Sequence, residues 1–571
     1  MTLLKKFLFL KPAIQKVLRL MNRKQKISMI LMLFLTIGFS IVETIGISAI
    51  MPFISVVSDA SLLESGYYKT VFDFFGFDSA RNFIIAFGIA IIIFYFFRGA
   101  YSVLRTYLVK RFSISIQRFF SKKAFKINLS IPYKVFAQKN SGELIQAIHN
   151  ETREIGKVVF HILHISTELF TIIMIYAVIL FLNWRITLII TLILLFLIVI
   201  MMLFLTKINL FQGKKKFRTN RKMHRILKES LVNVKYVKLK GSEEEVLNNY
   251  YNELKINTRS EMVTNVLNNT PRSILESLGF SFLIGVVVFL VWTTSDASMI
   301  IPTISMYALA LFRILPSIQR LLHEINGIVF SEETLNNIYA ILRQDIEEEG
   351  EGPVNFTSSI KFENVCFQYM TGKEVITNIS LEIKKGEKVA FIGESGSGKS
   401  TFVDIITGIH KPISGTVYID NTALTNGNIR SWRKKIGYIP QTIYLFDGTV
   451  AENVSFGSDY NEDKIKTALI KANVWGFLSQ KDGINTLVGD AGIQLSGGQQ
   501  QRICIARALY DDPEVLVLDE ATSSLDYETE QKIMDEVYNV SANKTLIVIA
   551  HRLSTVERCD RKILIEHGRI A

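Results

Sequence analysis

Cysteine is almost missing from this chain: only Cys366, Cys504 and Cys559 occur among 571 residues. Their spacing fits neither a disulfide framework nor a metal site, so both are excluded and reduced thiols in a cytoplasmic domain are expected. Acid is missing from residues 1–26, which hold eight Lys/Arg, and residues 207–240 hold twelve against Glu229 alone. The net charge of +13 could suggest nucleic acid. Both basic segments adjoin apolar runs, however, which is the pattern of cytoplasmic membrane flanks, and no nucleic-acid partner is expected. A small-residue cleavage site is also lacking after the first apolar run, Ile27 to Phe53, which is too long for a signal-peptide core. It reads as a retained membrane helix.

What is present is apolar and unevenly spread. Hydrophobic residues make up 49% of the chain and the mean hydropathy is +0.27. A helix needs about 20 apolar residues to cross a hydrocarbon core of roughly 30 Å. Six stretches qualify, about 27–57, 82–108, 158–182, 185–206, 272–293 and 298–322, and define a membrane domain over 1–325. Two basic spans separate the second from the third and the fourth from the fifth. The joins at Asn183-Trp184 and Thr293 to Ser298 are short. With the N-terminus in the cytoplasm, six helices bring the chain back to the cytoplasm. In the longer first outer loop, Leu63, Tyr67, Val71 and Phe74 recur at helical spacing, with Ser65, Lys69 and Asp73 off that face. An amphipathic helix in the outer interface or a packed loop would fit, and Gly66 weakens the helix. A linker over 326–358 carries acids, glycines and Pro353, with its boundary marked from Arg343 to Ser359. Residues 359–571 read as an α/β domain.

That domain carries Gly393-Glu394-Ser395-Gly396-Ser397-Gly398-Lys399-Ser400-Thr401, a P-loop between an expected strand, Glu387 to Ile392, and helix, Lys399 to Ile409. Its backbone N–H groups and the helix N-terminus suit phosphates, Lys399 would reach the β- and γ-phosphates, and Ser400 would hold Mg²⁺. Asp519 closes the apolar strand Val515 to Leu518, as a second Mg²⁺ ligand would, and Glu520 follows it. Leu495-Ser496-Gly497-Gly498-Gln499 precedes an expected helix from Gln500 to Leu509 and offers a second anion cradle.

The P-loop with LSGGQ resembles the ATPase domain of ABC transporters, from about Lys361 to the end. Six helices before such a domain resemble the half-transporters of the ABC exporter family, in the type IV architecture. The resemblance implies ATP and Mg²⁺ as cofactors and a bacterial inner-membrane location with the ATPase in the cytoplasm. It also implies a homodimer in which Ser496, Gly497, Gly498 and Gln499 of one copy close on ATP held by the other. Carried over residue by residue, Glu520 polarises the attacking water, and Gln441 is the Q-loop residue sensing the γ-phosphate and the metal. His551 is the switch histidine, Ser523 to Asp526 form the D-loop, and Tyr369 stacks on adenine. Val488-Gly489-Asp490 departs from the usual V-G-E by one methylene. Residues 131–144 and 231–245 resemble the two coupling regions, with solvated charged loops as the alternative.

Intramembrane ionisable residues are costly and usually functional. Arg98 lies 16 residues beyond Asn82, and Arg313 lies 15 beyond Ser298. Each is thus roughly 23 Å down its helix at 1.5 Å per residue. With Arg272, after Pro271 at the start of the fifth span, they could line a cationic girdle. Snorkelling, or pairing with Glu43 or Glu276, is the alternative. Phe94 to Arg98, Pro271-Arg272 with Leu275 to Phe280, and Ala308 to Arg313 resemble segments of PglK-type flippases. So do Glu43-Thr44 through Met51-Pro52-Phe53, and Ile392 to Gly396. That family translocates lipid-linked oligosaccharides for bacterial protein N-glycosylation, holds the lipid diphosphate with cavity arginines and engages the lipid tail with an external helix. A general lipid or drug exporter remains an alternative. A peptide exporter with its own protease would need an N-terminal cysteine, and none precedes Cys366. An ATP-gated channel or regulator would more often lack Lys399, Glu520 or His551.

Overall fold

A computed structural model describes residues 3–64, 66–182, 184–293, 297–344, 346, 348–369, 372, 374–489, 492–520, 527–550 and 556–571. The chain divides into two compact units. One comprises Met1–Leu129 with Lys139–Asp345, and the other Ser130–Gln138 with Ile346–Ala571.

The first unit is helical: α1 (Leu3–Leu20), α2 (Arg23–Ser48), α3 (Ile50–Ser58), α4 (Gly66–Phe74) and α5 (Ala80–Ser130). After α6 (Tyr133–Phe136), which belongs to the second unit, come α7 (Ser141–Gln146), α8 (Thr152–Leu182) and α9 (Trp184–Val232). Then follow α10 (Val234–Lys240), α11 (Glu243–Thr293), α12 (Ala297–Phe330) and α13 (Glu332–Leu342). A capping box starts α2: the Asn22 side chain accepts from the Gln25 N–H at 2.8 Å, and the Gln25 side chain returns the bond. Among the described residues, three helical stretches are long and apolar enough to cross a membrane: Arg23–Ser58, Ala80–Ser130 and Ser141–Leu180. Helices α5, α9 and α11 run far past the apolar segments, so much of both basic spans is helix. Gly213 lets α9 approach the end of α12, because a Cβ there would lie 2.3 Å from the Phe330 carbonyl oxygen.

Three expectations are corrected here. The helix that carries the fifth expected span, 272–293, does not begin at Arg272: α11 runs from Glu243 through Pro271, since the neighbouring turns carry the helix past one missing N–H. The stretch 326–358 is not a single linker. Residues 326–330 end α12, and 332–342 form α13, because Leu335, Ile338 and Leu342 recur at helical spacing and are buried. Beyond them, Glu349 and Glu351 pair with Arg433 and Lys434 of the second unit. In the outer loop Gly66, in the left-handed region at φ 66°, separates α4 from a 3-10 turn holding Leu63. Val71, Tyr68 and Phe72 pack on the buried Val56, Leu63 and Phe83, while Tyr67 and Phe74 stay exposed. Ser65 lies outside the described residues.

The second unit holds two sheets. An antiparallel one has the order β2-β1-β4-β5, from β1 (Ser359–Gln368), β2 (Glu374–Lys384), β4 (Ser414–Ile419) and β5 (Thr422–Ala423). The other has the order β10-β9-β3-β8-β7-β6, and its members from β9 to β6 run parallel. They are β3 (Lys388–Ile392), β6 (Ile436–Ile439), β7 (Val515–Asp519), β8 (Thr545–Ile549), β9 (Arg561–Glu566) and β10 (Arg569–Ile570). Strands β7 and β8 are buried at every position, as continuous apolar runs in a covered parallel sheet require. The helices include α14 (Lys399–Ile406), which packs on β7. All three cysteines are free; Cys504 is buried and the other two are half-buried.

Candidate nucleotide and substrate sites

Parallel sheets bind ligands beyond the carboxyl ends of their strands. Here the P-loop leaves the end of β3, Asp519 and Glu520 end β7, and Gln441 follows β6. Strand order β3-β8-β7-β6 brings these segments to one edge of the sheet, with β8 between the P-loop strand and β7. Gly393 takes φ 147°, and a Cβ there would lie 2.2 Å from the Ile565 carbonyl oxygen. Gly398 takes φ 106° and precedes α14, where the backbone turns into the helix. The Lys399 ammonium donates to the carbonyls of Gly393 at 2.9 Å and Glu394 at 2.8 Å. Burial lowers its proton affinity, and the charges of Glu520 and Asp519 oppose that shift.

The Ser400 hydroxyl donates to Asp519 Oδ1 at 3.3 Å, so two hard oxygen donors converge, which suits Mg²⁺. Burial raises the Asp519 pKa, while bonds from Tyr438 and Ser400 hold it back. Gln441 Nε2 donates to Glu520 Oε2 at 2.6 Å, placing its amide on the glutamate rather than on the Ser400–Asp519 pair. The Tyr369 hydroxyl lies 3.0 Å from Thr401 Oγ1, so the expected base-stacking ring adjoins α14. His551, Asp490 and Ser523 to Asp526 lie outside the described residues.

The LSGGQ helix, α19 when α15 (Ile429–Arg433), α16 (Val450–Val454), α17 (Glu462–Lys471) and α18 (Trp475–Leu478) are counted, spans Gly497–Leu509. It starts three residues before the expected Gln500 because Ser496 caps it: its hydroxyl accepts from the Gln499 N–H, and Gln499 Oε1 accepts from the Ser496 N–H at 2.9 Å. Gly497 and Gly498 therefore form the first turn, where free N–H groups suit an anion.

Two contributors were missed from sequence. Tyr438 donates to Asp519 Oδ2 at 3.0 Å from the neighbouring strand. Its place three residues before Gln441 is a signal only once β6 is known to pair with β7. His410 is buried and stacked on Phe367 at 4.7 Å, with its edge contact to Tyr369 at 5.5 Å. Burial, then the charge of Lys134, pushes its pKa down to about 4, so its 3.6 Å approach to Asp404 at neutral pH is not an ion pair.

Residues 376–523 match the family described as ABC transporter, and residues 45–315 match the ABC transporter transmembrane region. An ATP-dependent lipid A-core flippase of Burkholderia thailandensis is 30% identical over 443 residues, which cover 76% of this chain and 74% of that protein. The heterocyst differentiation ATP-binding protein HepA of a Nostoc species is 30% identical over 465 residues, 79% of this chain and 74% of that one.

The chain belongs to the ABC transporter family.

A solved structure of a bacterial Atm1-family ABC exporter with ATP bound has the same fold, with a TM-score of 0.79 at 23% identity, covering 96% of this chain and 94% of that one. The chain thus has the type IV ABC exporter fold, a transmembrane domain fused to a nucleotide-binding domain. It is an ATPase whose hydrolysis is coupled to transport, set in the inner membrane with its ATPase domain in the cytoplasm.

In the exporter's membrane unit, Arg98 on α5 and Arg313 on α12 meet at Glu43 on α2. Arg98 donates to Glu43, and Arg313 Nε lies 2.9 Å from the same Oε1. Arg272 stands apart from this pair: it is exposed and bonded to Glu276, one turn on, at 2.8 Å. The three arginines expected to form one girdle are thus two sharing a carboxylate and one with a partner on its own helix.

Proposed function

We propose that the exporter acts as a homodimer that flips an anionic lipid-linked oligosaccharide, carried on a polyprenyl diphosphate, across the inner membrane. The observation that carries this reading is the meeting of Arg98 and Arg313 inside the membrane unit. Guanidinium groups match phosphate oxygens in a planar fork, and charges at membrane depth are retained where they serve a charged cargo. Arg272 is a third phosphate contact, exposed and paired with Glu276 on its own helix.

Power comes from the nucleotide site. Lys399 holds the β- and γ-phosphates among the N–H groups of residues 393–401, and Tyr369 stacks on adenine. Ser400 and Asp519 would hold Mg²⁺, which when bound neutralises charge on the phosphate oxygens. Glu520, oriented by Gln441, polarises the attacking water, and His551 contacts the γ-phosphate. Ser496 to Gln499 close on the ATP of the second copy.

A second reading, favoured by the lipid A-core flippases among the relatives, is transport of another phosphorylated lipid. Full-length protein in liposomes, given labelled polyprenyl-diphosphate glycan, lipid A-core or a neutral lipid, tests both. ATP-dependent movement of the first cargo, lost in Glu520→Gln, is expected. Movement of lipid A-core instead transfers the assignment to the second reading.

A further inference from the structure

We propose that Glu43 is a built-in competitor for the cargo's anion: it occupies Arg98 and Arg313 until a phosphate-bearing headgroup displaces it. This rests on the reading of those arginines as phosphate ligands.

The geometry of two neighbouring ion pairs carries the inference. Arg320 grips Glu168 as a fork, with Nε on Oε1 at 2.6 Å and Nη2 on Oε2 at 3.1 Å. A lasting structural pair takes this form, because both carboxylate oxygens are satisfied. Glu43 is held differently. Both guanidiniums converge on its Oε1, whereas its Oε2 is buried with no hydrogen-bond partner among the described residues. Two cations thus share one oxygen of one carboxylate. Five N–H donors on each guanidinium exceed what a single oxygen can accept.

Exposure shows which side is open. The Glu43 side chain is 1% exposed, while those of Arg98 and Arg313 are 30% and 20% exposed. An incoming anion therefore meets the cations first, with the carboxylate behind them. A diphosphate brings more charge and more acceptor oxygens than a carboxylate, so it completes the forks that Glu43 leaves open. The guanidinium of Arg98 also lies over the Tyr95 ring at 5.5 Å, and the Tyr95 hydroxyl is fixed to the Gly46 carbonyl at 3.2 Å. That contact does not depend on Glu43 and keeps Arg98 in place when the carboxylate leaves.

A displaced carboxylate left buried and unpaired would be costly. Arg105 supplies the alternative partner. It is buried over the ring of Phe39, one turn before Glu43 on α2, at 4.2 Å, and its Nε has no hydrogen-bond partner among the described residues. Glu43 thus selects cargo by charge: an anion must outcompete a carboxylate to reach the arginines, and a neutral lipid cannot.

Binding of radiolabelled undecaprenyl diphosphate and of lipid A to the full-length protein in neutral-lipid nanodiscs tests this. Glu43→Gln keeps the shape and removes the competing charge, so the dissociation constant for the cargo lipid should fall by about tenfold or more. Glu43→Asp keeps the charge but shortens its reach, and should tighten binding about two- to threefold. Tighter binding of lipid A but not of undecaprenyl diphosphate upholds the competitor role and overturns the oligosaccharide reading. Unchanged or weaker binding of both lipids by folded Glu43→Gln makes Glu43 a structural counterion and overturns the proposal. Should Glu43→Gln fail to fold, Glu43→Asp decides by the same criterion. No binding of either lipid to any form overturns the proposal as well.

Discussion

The Gln441 amide donates to the Glu520 carboxylate at 2.6 Å, joining the loop after β6 to the end of β7. Glu520 takes φ 46°, in the left-handed region that a residue with a Cβ rarely adopts. Its own N–H donates to the Ile549 carbonyl at 3.1 Å, at the end of β8. The strained residue is therefore held from both sides, its carboxylate by the loop after β6 and its N–H by the end of β8, as strain at functional sites must be.

Glu520→Gln should bind ATP and hydrolyse it about a hundredfold more slowly or worse, the span typical of a lost general base. Nucleotide binding and single-turnover hydrolysis measure the two separately. Near-normal turnover would move the role to another residue.

Tyr438→Phe removes the phenolic donor from Asp519 without changing the ring. Groups that orient a metal ligand typically contribute 10- to 100-fold in metal affinity. The Mg²⁺ concentration for half-maximal ATP hydrolysis should rise about tenfold in this variant. An unchanged Mg²⁺ dependence would make the bond incidental.

A mixed dimer should show complementation. With Lys399→Ala in one copy and Ser496→Ala in the other, one composite site is damaged twice and the other is intact. ATP occupancy counted per dimer should persist at one site. Two equally weakened sites would mean that each chain closes on its own nucleotide. Ser496→Ala also removes the α19 cap, at a cost of about 1 kcal/mol, so its melting midpoint serves as the control.

Asp404 is pushed up to about 7, first by burial and then by the charge of Asp519. A raised folded value means that its stabilising effect is complete below the unfolded value of about 3.9 and is lost as pH rises through 7. Asp404→Asn should therefore raise the melting midpoint of the nucleotide-free protein more at pH 8 than at pH 5. Equal gains at both would remove Asp404 as the titrating group.

Local signals were legible where local chemistry settles the structure. The P-loop falls between β3 and α14 because glycines with positive φ and a helix start are properties of adjacent residues. The S-x-x-Q of Ser496 to Gln499 was also a legible capping signal, and it would have placed the start of α19 correctly. In the outer loop, spacing alone put Tyr67 and Phe74 with Leu63. Gly66 broke the helix and turned those two rings away from the packed face.

The sequence by itself determined the apolar runs, the nucleotide motifs and their order along the chain, because each depends on residues within a few turns of one another. Only the tertiary structure decided that β6 pairs with β7, which brings Tyr438 to Asp519 across 81 positions. It also decided that α2, α5 and α12 meet, so that Arg98 and Arg313 share Glu43 while Arg272 pairs within its own helix. Counting residues along a helix gives each arginine a depth. Which carboxylate it reaches is set by the packing of helices far apart in the chain.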